Sequence, residues 1–477
     1  MSRLSARVLR GSIAAVAAAA SAAFFSFAAS AQTLESALAQ AYQNNPTLNS
    51  QRAGVRVIDE GVPQALAGYR PKLTATASLG EQYGQSRSKI TTPGTFTTPG
   101  TNPYIDLSGV FTPSSFGFTT TQTLFNGFQT ANRTRQAESS VLASRETLRT
   151  SEQTVLLSAV TAYMNLLRDA AIFDLQKRNV EVLQEQLRQI RDRFNVGEVT
   201  RTDVAQSESR IAAGRSQVLT AEANYKTSGA IYRQVIGNDP GKLVPATPVD
   251  RFSPGGLAAA IASANAQHPT VTTAQYNVDT ATSAVKVAEG ALLPTLTLNG
   301  SVQQNYLQSQ TALESLNASV IGQLSVPIYQ GGAEYSAVRQ AKETLGQRRI
   351  DLDTARDQAR QTVVQSWGLL EAAKGNIVAT TSQVEAAEVA LNGVREEARV
   401  GQRTTLDVLN AQQELVNARV ALVGAQRDRV VASYTLLAAV GRLSPQVLGL
   451  RTPTYDSQVH YHQVRDSWIG LRTPDGR

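Results

Sequence analysis

The chain states one design twice, and that duplication limits what it can fold into more than any single motif. Leu34 to Pro46 reads LESALAQAYQNNP, and Leu257 to Pro269 reads LAAAIASANAQHP, 223 residues further on. Arg70-Pro71-Lys72-Leu73 recurs at the same offset as Leu293-Pro294-Thr295-Leu296. The offset then drops to 204 and holds. Leu124-Phe125-Asn126-Gly127 matches Ile328-Tyr329-Gln330-Gly331, Val196-Gly197 matches Val400-Gly401, Asp203-Val204 matches Asp407-Val408, and Ile236-Gly237 matches Val440-Gly441. A repeat of this length is an architecture rather than a site. The 19-residue difference falls between Thr74 and Phe125, so the first copy carries an extra loop.

Each copy has the same order: short helix, helix, strand, loop, strand, very long helix, turn, long helix. Leu73, Ala75, Ala77 and Leu79 alternate with polar residues, as do Phe116, Phe118 and Leu124. That period of two marks strands with one apolar face. In the second copy the strands are expected over Leu296 to Tyr306 and Ser319 to Ile328. About ten alternating residues suffice to cross a bilayer as a tilted strand. Gln85 to Ser115, rich in Thr, Pro and Gly, has no period and reads as an exposed loop. Tyr104, Phe116, Phe118 and Tyr306 are candidates for interfacial aromatic belts, with a loop position open for Tyr104.

Gly127 to Phe194 has no interior Gly or Pro, and Ala159, Leu166, Phe173, Val180, Leu187 and Phe194 recur every seven residues, with Leu183 and Ile190 interleaved. This heptad seam predicts a helix packed lengthwise on a neighbour. At 1.5 Å per residue it would be roughly 100 Å long. Gly332 to Val400 repeats the length.

The first 31 residues read as an export signal: Arg3, Arg7 and Arg10, an apolar stretch Ile13 to Phe27, and Ala29-Ser30-Ala31 for cleavage. Loss of those three Arg takes the formal charge from +7 to +4, too mild and scattered for nucleic acid. The chain has no Cys, which removes thiolate metal sites, disulfides, thiol catalysis and a lipid-modified N-terminal Cys. Beyond the signal, no apolar run approaches the roughly 20 residues of a membrane helix, the longest being Val430 to Val440. An exported chain of this kind is soluble or crosses a membrane as β-barrel. The expected division is signal 1–31, first repeat 32–238, linker 239–256, second repeat 257–441 and tail 442–477. Four strands cannot close a barrel, since the smallest single-chain membrane barrels have about eight. Open edges are not tolerated in lipid, so several copies must contribute strands to one barrel.

Over essentially the whole mature length the chain resembles the TolC-type outer-membrane channel family. The resemblance is carried by Arg193-Phe194-Asn195-Val196-Gly197 with Thr202-Asp203-Val204, by Leu293-Pro294-Thr295-Leu296, by Val326-Pro327-Ile328-Tyr329-Gln330-Gly331-Gly332, and by Val400-Gly401 with Thr405-Leu406-Asp407-Val408-Leu409-Asn410. It implies a mainly α fold with a small β part: a homotrimer whose twelve strands form an outer-membrane β-barrel continued by a periplasmic α-helical barrel. It also implies type I secretion or multidrug efflux, with docking to an inner-membrane ABC or proton-driven transporter through a periplasmic adaptor. Gln32 stands where lipid-anchored members have Cys, which favours the non-lipidated branch.

The resemblance places Asp407 on a ring of carboxylates at the periplasmic entrance. Asn410 stands where the family often has a second Asp, which weakens the ring. Arg403 would latch the second repeat's turn to Thr202 and Asp203 of the first, and Ala398 replaces a Tyr of the family's gate. On spacing alone, Asp203 and Asp407 also fit helix caps, three residues after Thr200 and Thr404, and Arg403 fits a solvated side chain beside a turn. Pro327, Gly331 and Gly332 mark a strand-to-helix junction. His268, before Pro269, reads as structural. His460 and His462 read as an ordinary polar tail rather than a metal site. GxSxG, GxxxxGK[ST] and HExxH are absent, so no catalytic residue or cofactor is expected. A periplasmic coiled-coil adaptor is the alternative, but it would show one helical hairpin where this chain shows two.

Overall fold

The computed structural model describes residues 32–89, 104–308, 313–474 and 476. The expected signal and the Thr91 to Thr101 part of the loop lie outside the described residues. The elements divide between two compact units, each assembled from both repeats.

The first unit holds residues up to 49, 151–264 and 360–454. Helix α1 (Leu34–Asn44) starts on a Thr33 cap, whose hydroxyl accepts from Ser36 N at 3.3 Å. Helix α2 (Pro46–Asp59) starts in this unit and α3 (Gly61–Leu66) follows in the other. Helix α4 (Gln129–Asn195) is 67 residues long, and α5 (Arg201–Ile236) returns along it. After α6 (Leu257–Gln267) and α7 (Pro269–Gly290), the second repeat has a 67-residue α8 (Ala333–Arg399) and then α9 (Thr405–Ala439).

The buried line of α4 is not the seam expected from its apolar heptad. Thr134, Val141, Leu148, Val155, Ala162, Asp169, Gln176, Leu183 and Ile190 are all buried, and they follow one another at intervals of seven. Ala159 and Leu166 are also buried, but Phe173, Val180 and Leu187 are half-buried and Phe194 is exposed. The line passed over contains Asp169 and Gln176, which hide it from an apolar count. Asp169 is satisfied by Arg168 Nε at 2.8 Å and by a short hydrogen bond from Ser228 on α5. The facing residues of α5 are small: Ser207, Gly214, Ala221 and Ser228, again at sevens. A Cβ on Gly214 would sit 3.1 Å from Val180 Cγ2, so the small residues set the approach of the two helices. Strict sevens over this length impose a left-handed supercoil. The matching positions of α8, Val338, Leu352, Ala359, Ser366, Ala373 and Thr380, are buried too. One 18-residue window of α4 is apolar enough to span a bilayer by composition, but half of it is buried in packing of this kind.

Tyr163 on α4 is fully buried; its hydroxyl lies 2.6 Å from Val244 O and 2.9 Å from Gln32 O, and accepts from Val244 N at 3.0 Å. It thereby ties the segment before α1 to the segment joining the repeats. Ala260, Ala264, Val363, Leu370, Leu436 and Val440 form an apolar core for α6, α8 and α9, with Trp367 packed against it.

The second unit holds 50–150, 265–359 and 455 onward. Strands β1 (Lys72–Leu79), β4 (Ser114–Asn126), β5 (Thr295–Tyr306) and β6 (Glu314–Ser325) form one antiparallel sheet in the order β1-β4-β5-β6. The two strand pairs read from the repeats are thus joined through β4 and β5. The expected end at Ile328 is three residues too long, because Pro327 has no N–H to pair. Ala75, Phe118, Val302 and Ala318 lie in register across all four strands. That face also carries Leu73, Phe116, Leu316 and Val320, and several of these are exposed. The opposite face carries Thr, Ser and Asn, with hydroxyl pairs Ser78–Ser115 at 2.7 Å and Ser301–Ser319 at 2.9 Å.

The stretch expected to be a plain loop contains two strands, β2 (Gln82–Lys89) and β3 (Tyr104–Phe111), paired antiparallel as a separate arm. Arg87 and Asp106 face each other across it as an ion pair. β2 shows no apolar alternation, while β3 carries a short one, Ile105, Leu107 and Phe111, with Asp106 and Ser108 between.

The C-terminal tail is not merely polar. Helix α10 (Ser457–Val464) buries His460, whose Nδ1 lies 3.0 Å from Oδ2 of fully buried Asp59 at the end of α2. Burial pushes the Asp59 carboxyl up, and the contact with His460 offsets part of that rise. Arg145 sits over the Tyr461 ring at 5.2 Å, and Arg465 reaches Glu138 at 3.5 Å. Among the described residues no three His, Cys, Asp or Glu side chains cluster as metal ligands. His268 caps α7, its Nδ1 accepting from Thr270 N at 3.2 Å.

Candidate functional site: the tips of the two helical hairpins

The long helices reverse direction in turns of the same design. Gly197 and Gly401 have φ of +82° and +79°, a conformation that favours glycine, and end α4 and α8. Glu198 N donates to Arg193 O at 2.9 Å, and Gln402 N donates to Glu397 O at 2.9 Å. The next helix then opens on a capping box. The Thr200 hydroxyl accepts from Asp203 N at 3.3 Å, while Asp203 Oδ2 accepts from Thr200 N at 2.9 Å. Thr404 and Asp407 repeat this at 3.3 and 3.0 Å. Each box satisfies two orphan amides of its helix start.

These bonds favour the ionised carboxylates. The Thr200 hydroxyl, then its amide, holds Asp203 below the usual carboxylate range, with smaller help from Arg193 and the Thr405 hydroxyl of the other repeat. The Thr404 amide, then its hydroxyl, holds Asp407 below it, with help from Arg403. Both are therefore anionic at neutral pH.

Arg403 does not pair with Asp203. Its Nε donates to Glu397 Oε2 at 2.8 Å, across the turn of its own hairpin. The first repeat has the opposite arrangement, with Arg193 Nε donating to Glu198 Oε2 at 2.9 Å. Arg193 and Glu397 occupy matching positions, so the helix-end charge is inverted between repeats. A partner six residues away within one turn costs Arg403 less ordering than one on another hairpin. Thr202 is exposed in the first turn of α5. Besides the Thr405 contact to Asp203, a bond that the residues did not suggest joins the repeats here: Arg210 Nη2 on α5 donates to Asn410 Oδ1 on α9 at 2.6 Å. Below it, Arg395 donates to Gln412 Oε1 at 3.0 Å, and Leu183, Ile211 and Leu409 form a small apolar plug. The tips enclose a cleft of about 680 Å³ whose walls include Asp203, Arg403 and Thr404. Nothing in the first repeat's sequence alone pointed to Arg210; the charge inversion at Arg193 and Glu397 was readable from the repeat alignment.

Pro327 follows β6 by two residues, and Gly331 and Gly332, with φ of +70° and +87°, precede α8. The matching pair before α4 is Gly127 and Phe128, at +62° and +60°.

A duplicated chain of strands and long hairpins, with a matched capping-box carboxylate at each tip, has the design of a conduit subunit. The outer membrane efflux protein family matches residues 37–238 and 260–442, and the chain belongs to that family. It is 44% identical to the outer membrane efflux protein BepC of Brucella suis over 94% of both chains. It is 28% identical to the outer membrane protein TolC of Escherichia coli, over 89% of this chain and 85% of TolC. Its fold matches the Campylobacter jejuni CmeC outer membrane channel with a TM-score of 0.72 at 17% identity, covering 91% of this chain and 89% of CmeC. Its place is the outer membrane, as an efflux or secretion duct.

Proposed function

We propose that the chain is one protomer of a trimeric exit duct for type I protein secretion or multidrug efflux. Three copies supply twelve strands to a barrel in the outer membrane, and their helices continue it as a periplasmic tunnel. The duct docks through a periplasmic adaptor to an inner-membrane ABC or proton-driven pump. The observation that carries this reading is the four-stranded sheet with an apolar and a polar face, left with β1 and β6 as edges. Lipid admits no such edges, so β1 of one copy must meet β6 of the next. The adaptor alternative has no support, given two hairpins and the family match.

At the entrance, Asp407 of each protomer supplies one carboxylate to an axial ring, with Asn410 one helical turn further along. The Arg210–Asn410 bond, rather than one from Arg403, restrains the two hairpins. Planar-bilayer recording and crosslinking test this. The native chain should run as a crosslinked trimer from outer membranes, and a monomer in periplasmic extract would overturn the duct. Asn410→Ala should raise single-channel conductance, whereas Asp407→Ala should weaken cation selectivity. Unchanged selectivity would leave Asp407 a helix cap alone.

A further inference from the structure

We propose that the C-terminal tail at Trp468–Leu471 inserts into the glycerophospholipid surface at the periplasmic rim of the sheet, as a membrane-interface anchor. The inference rests on the reading of the four-stranded sheet as a membrane wall.

The tail reaches that rim along a fixed path. After α10, Arg70 Nη1 donates to Ser467 O at 2.6 Å, and the Arg70 guanidinium sits 4.7 Å from the centre of the Trp468 ring. Arg70 stands two residues before β1, whose first residue is Lys72. The register puts the start of β1, the end of β4, the start of β5 and the end of β6 at one end of the sheet. This is the end from which the long helices leave, so in the duct it faces the periplasm. Trp468 is therefore held where the wall would emerge from lipid.

The side chains there are wrong for water. Trp468 is 67% exposed, Ile469 92% and Leu471 102%. Three large apolar groups within four residues form a patch rather than scattered exposure. The same end of the sheet carries exposed Tyr69, Phe128 and Tyr329, so large apolar side chains stand at this level beyond the tail as well. Arg70 and Lys72 bring positive charge to this level, with exposed Asp466 beside Ser467 as the nearby acid in the tail. An indole with its apolar body in acyl chain and its N–H among headgroups, flanked by cations facing phosphate, is the chemistry of a lipid interface.

Trp367 and Trp468 are the two tryptophans of the chain, and Trp367 packs against a core, so tail fluorescence can be isolated. The protein should be reconstituted in phosphatidylethanolamine and phosphatidylglycerol vesicles, with and without brominated acyl chains. In Trp367→Phe, the remaining indole should emit to the blue and lose most of its emission to brominated lipid. The native chain minus Trp468→Phe gives the same quantity without touching the core. A Phe118→Trp probe in a background lacking both native tryptophans reports the wall itself. If that probe is quenched by brominated lipid while Trp468 is quenched only by aqueous acrylamide, the tail lies in water and the anchor is wrong. Protection of Trp468 from both quenchers would mean that a second copy covers it, and would equally overturn the proposal. If the Phe118→Trp probe itself escapes brominated lipid, the membrane wall fails and the anchor with it.

Discussion

The two repeats agree at their tips and differ where strand meets long helix. At the tips, glycine and capping box recur at matching positions, and a short ion pair crosses each turn, although its charges are exchanged and its second partner is shifted by one residue. At the junctions the backbone again repeats, with two successive positive φ values, but the surroundings do not. Gly127 is pressed against the end of α7, where an added Cβ would lie 2.2 Å from Gly290 O. Gly331, at nearly the same φ, has nothing within 4 Å. The first repeat also places Phe128 in the left-handed region that Gly332 occupies in the second, and holds it against the Phe125 ring at 5.3 Å. Duplication preserves what a local turn requires, and lets diverge what a particular neighbour requires.

The largest expected effect tests the junctions. Gly331→Ala should cost roughly 1–2 kcal/mol, the ordinary cost of a side chain in the left-handed region. Gly127→Ala pays that and must also displace a backbone carbonyl, so more than about 3 kcal/mol is expected. Thermal midpoints of the purified assemblies would separate the two. Equal midpoints would show that the packing difference has no energetic meaning.

The tips should respond alike. Thr200→Ala and Thr404→Ala should each cost about 1 kcal/mol of local helix stability, as loss of a cap does. Hydrogen exchange of the first turns of α5 and α9 measures this, and a clear inequality would break the tip equivalence.

Acid should act on both tips together. The folded pKa values of Asp203 and Asp407 lie below their ordinary value of 3.8. Their stabilising contribution is therefore complete above pH 3.8 and is lost as pH falls through the lowered values. Exchange protection at the two helix starts should fade together in that acid window and stay constant from about pH 5 upward.

The smallest effect concerns the inverted ion pair. Both partners are exposed, and such pairs contribute little. Arg193→Glu alone should loosen the first tip slightly, because it places like charge opposite Glu198. Adding Glu198→Arg should restore exchange protection, since it puts opposite charges back across the turn. Failure of the double substitution to recover would show that the charge order is tied to something beyond the turn.

Much of this was legible in the residues. The capping boxes followed from Thr200 with Asp203 and Thr404 with Asp407, because a cap is a bond across three positions. The strands of the four-stranded sheet followed from alternation in both repeats, since side chains on a strand must point to opposite faces. The arm of β2 and β3 was not legible, because β2 has no apolar period and the short alternation of Ile105, Leu107 and Phe111 sits in a Thr-, Pro- and Gly-rich stretch that reads as loop. The buried line of α4 was missed for another reason: Asp169 is buried with its neighbour Arg168 and with Ser228 as partners, and Ser228 is not visible as a partner until α5 lies against α4.

The duplication could be read by setting the chain against itself, and the succession of strands and long helices and the helix ends could be read locally, because they depend on residues a few positions apart. Tertiary structure decided that β4 pairs with β5, that Arg403 turns to Glu397 while Arg210 takes Asn410, and that His460 folds down on Asp59. Local backbone conformation is governed by sterics and hydrogen bonds within one turn or pleat. The choice of a partner 200 or 401 residues away depends on which surfaces the packed elements bring together, and the chain's order does not state that.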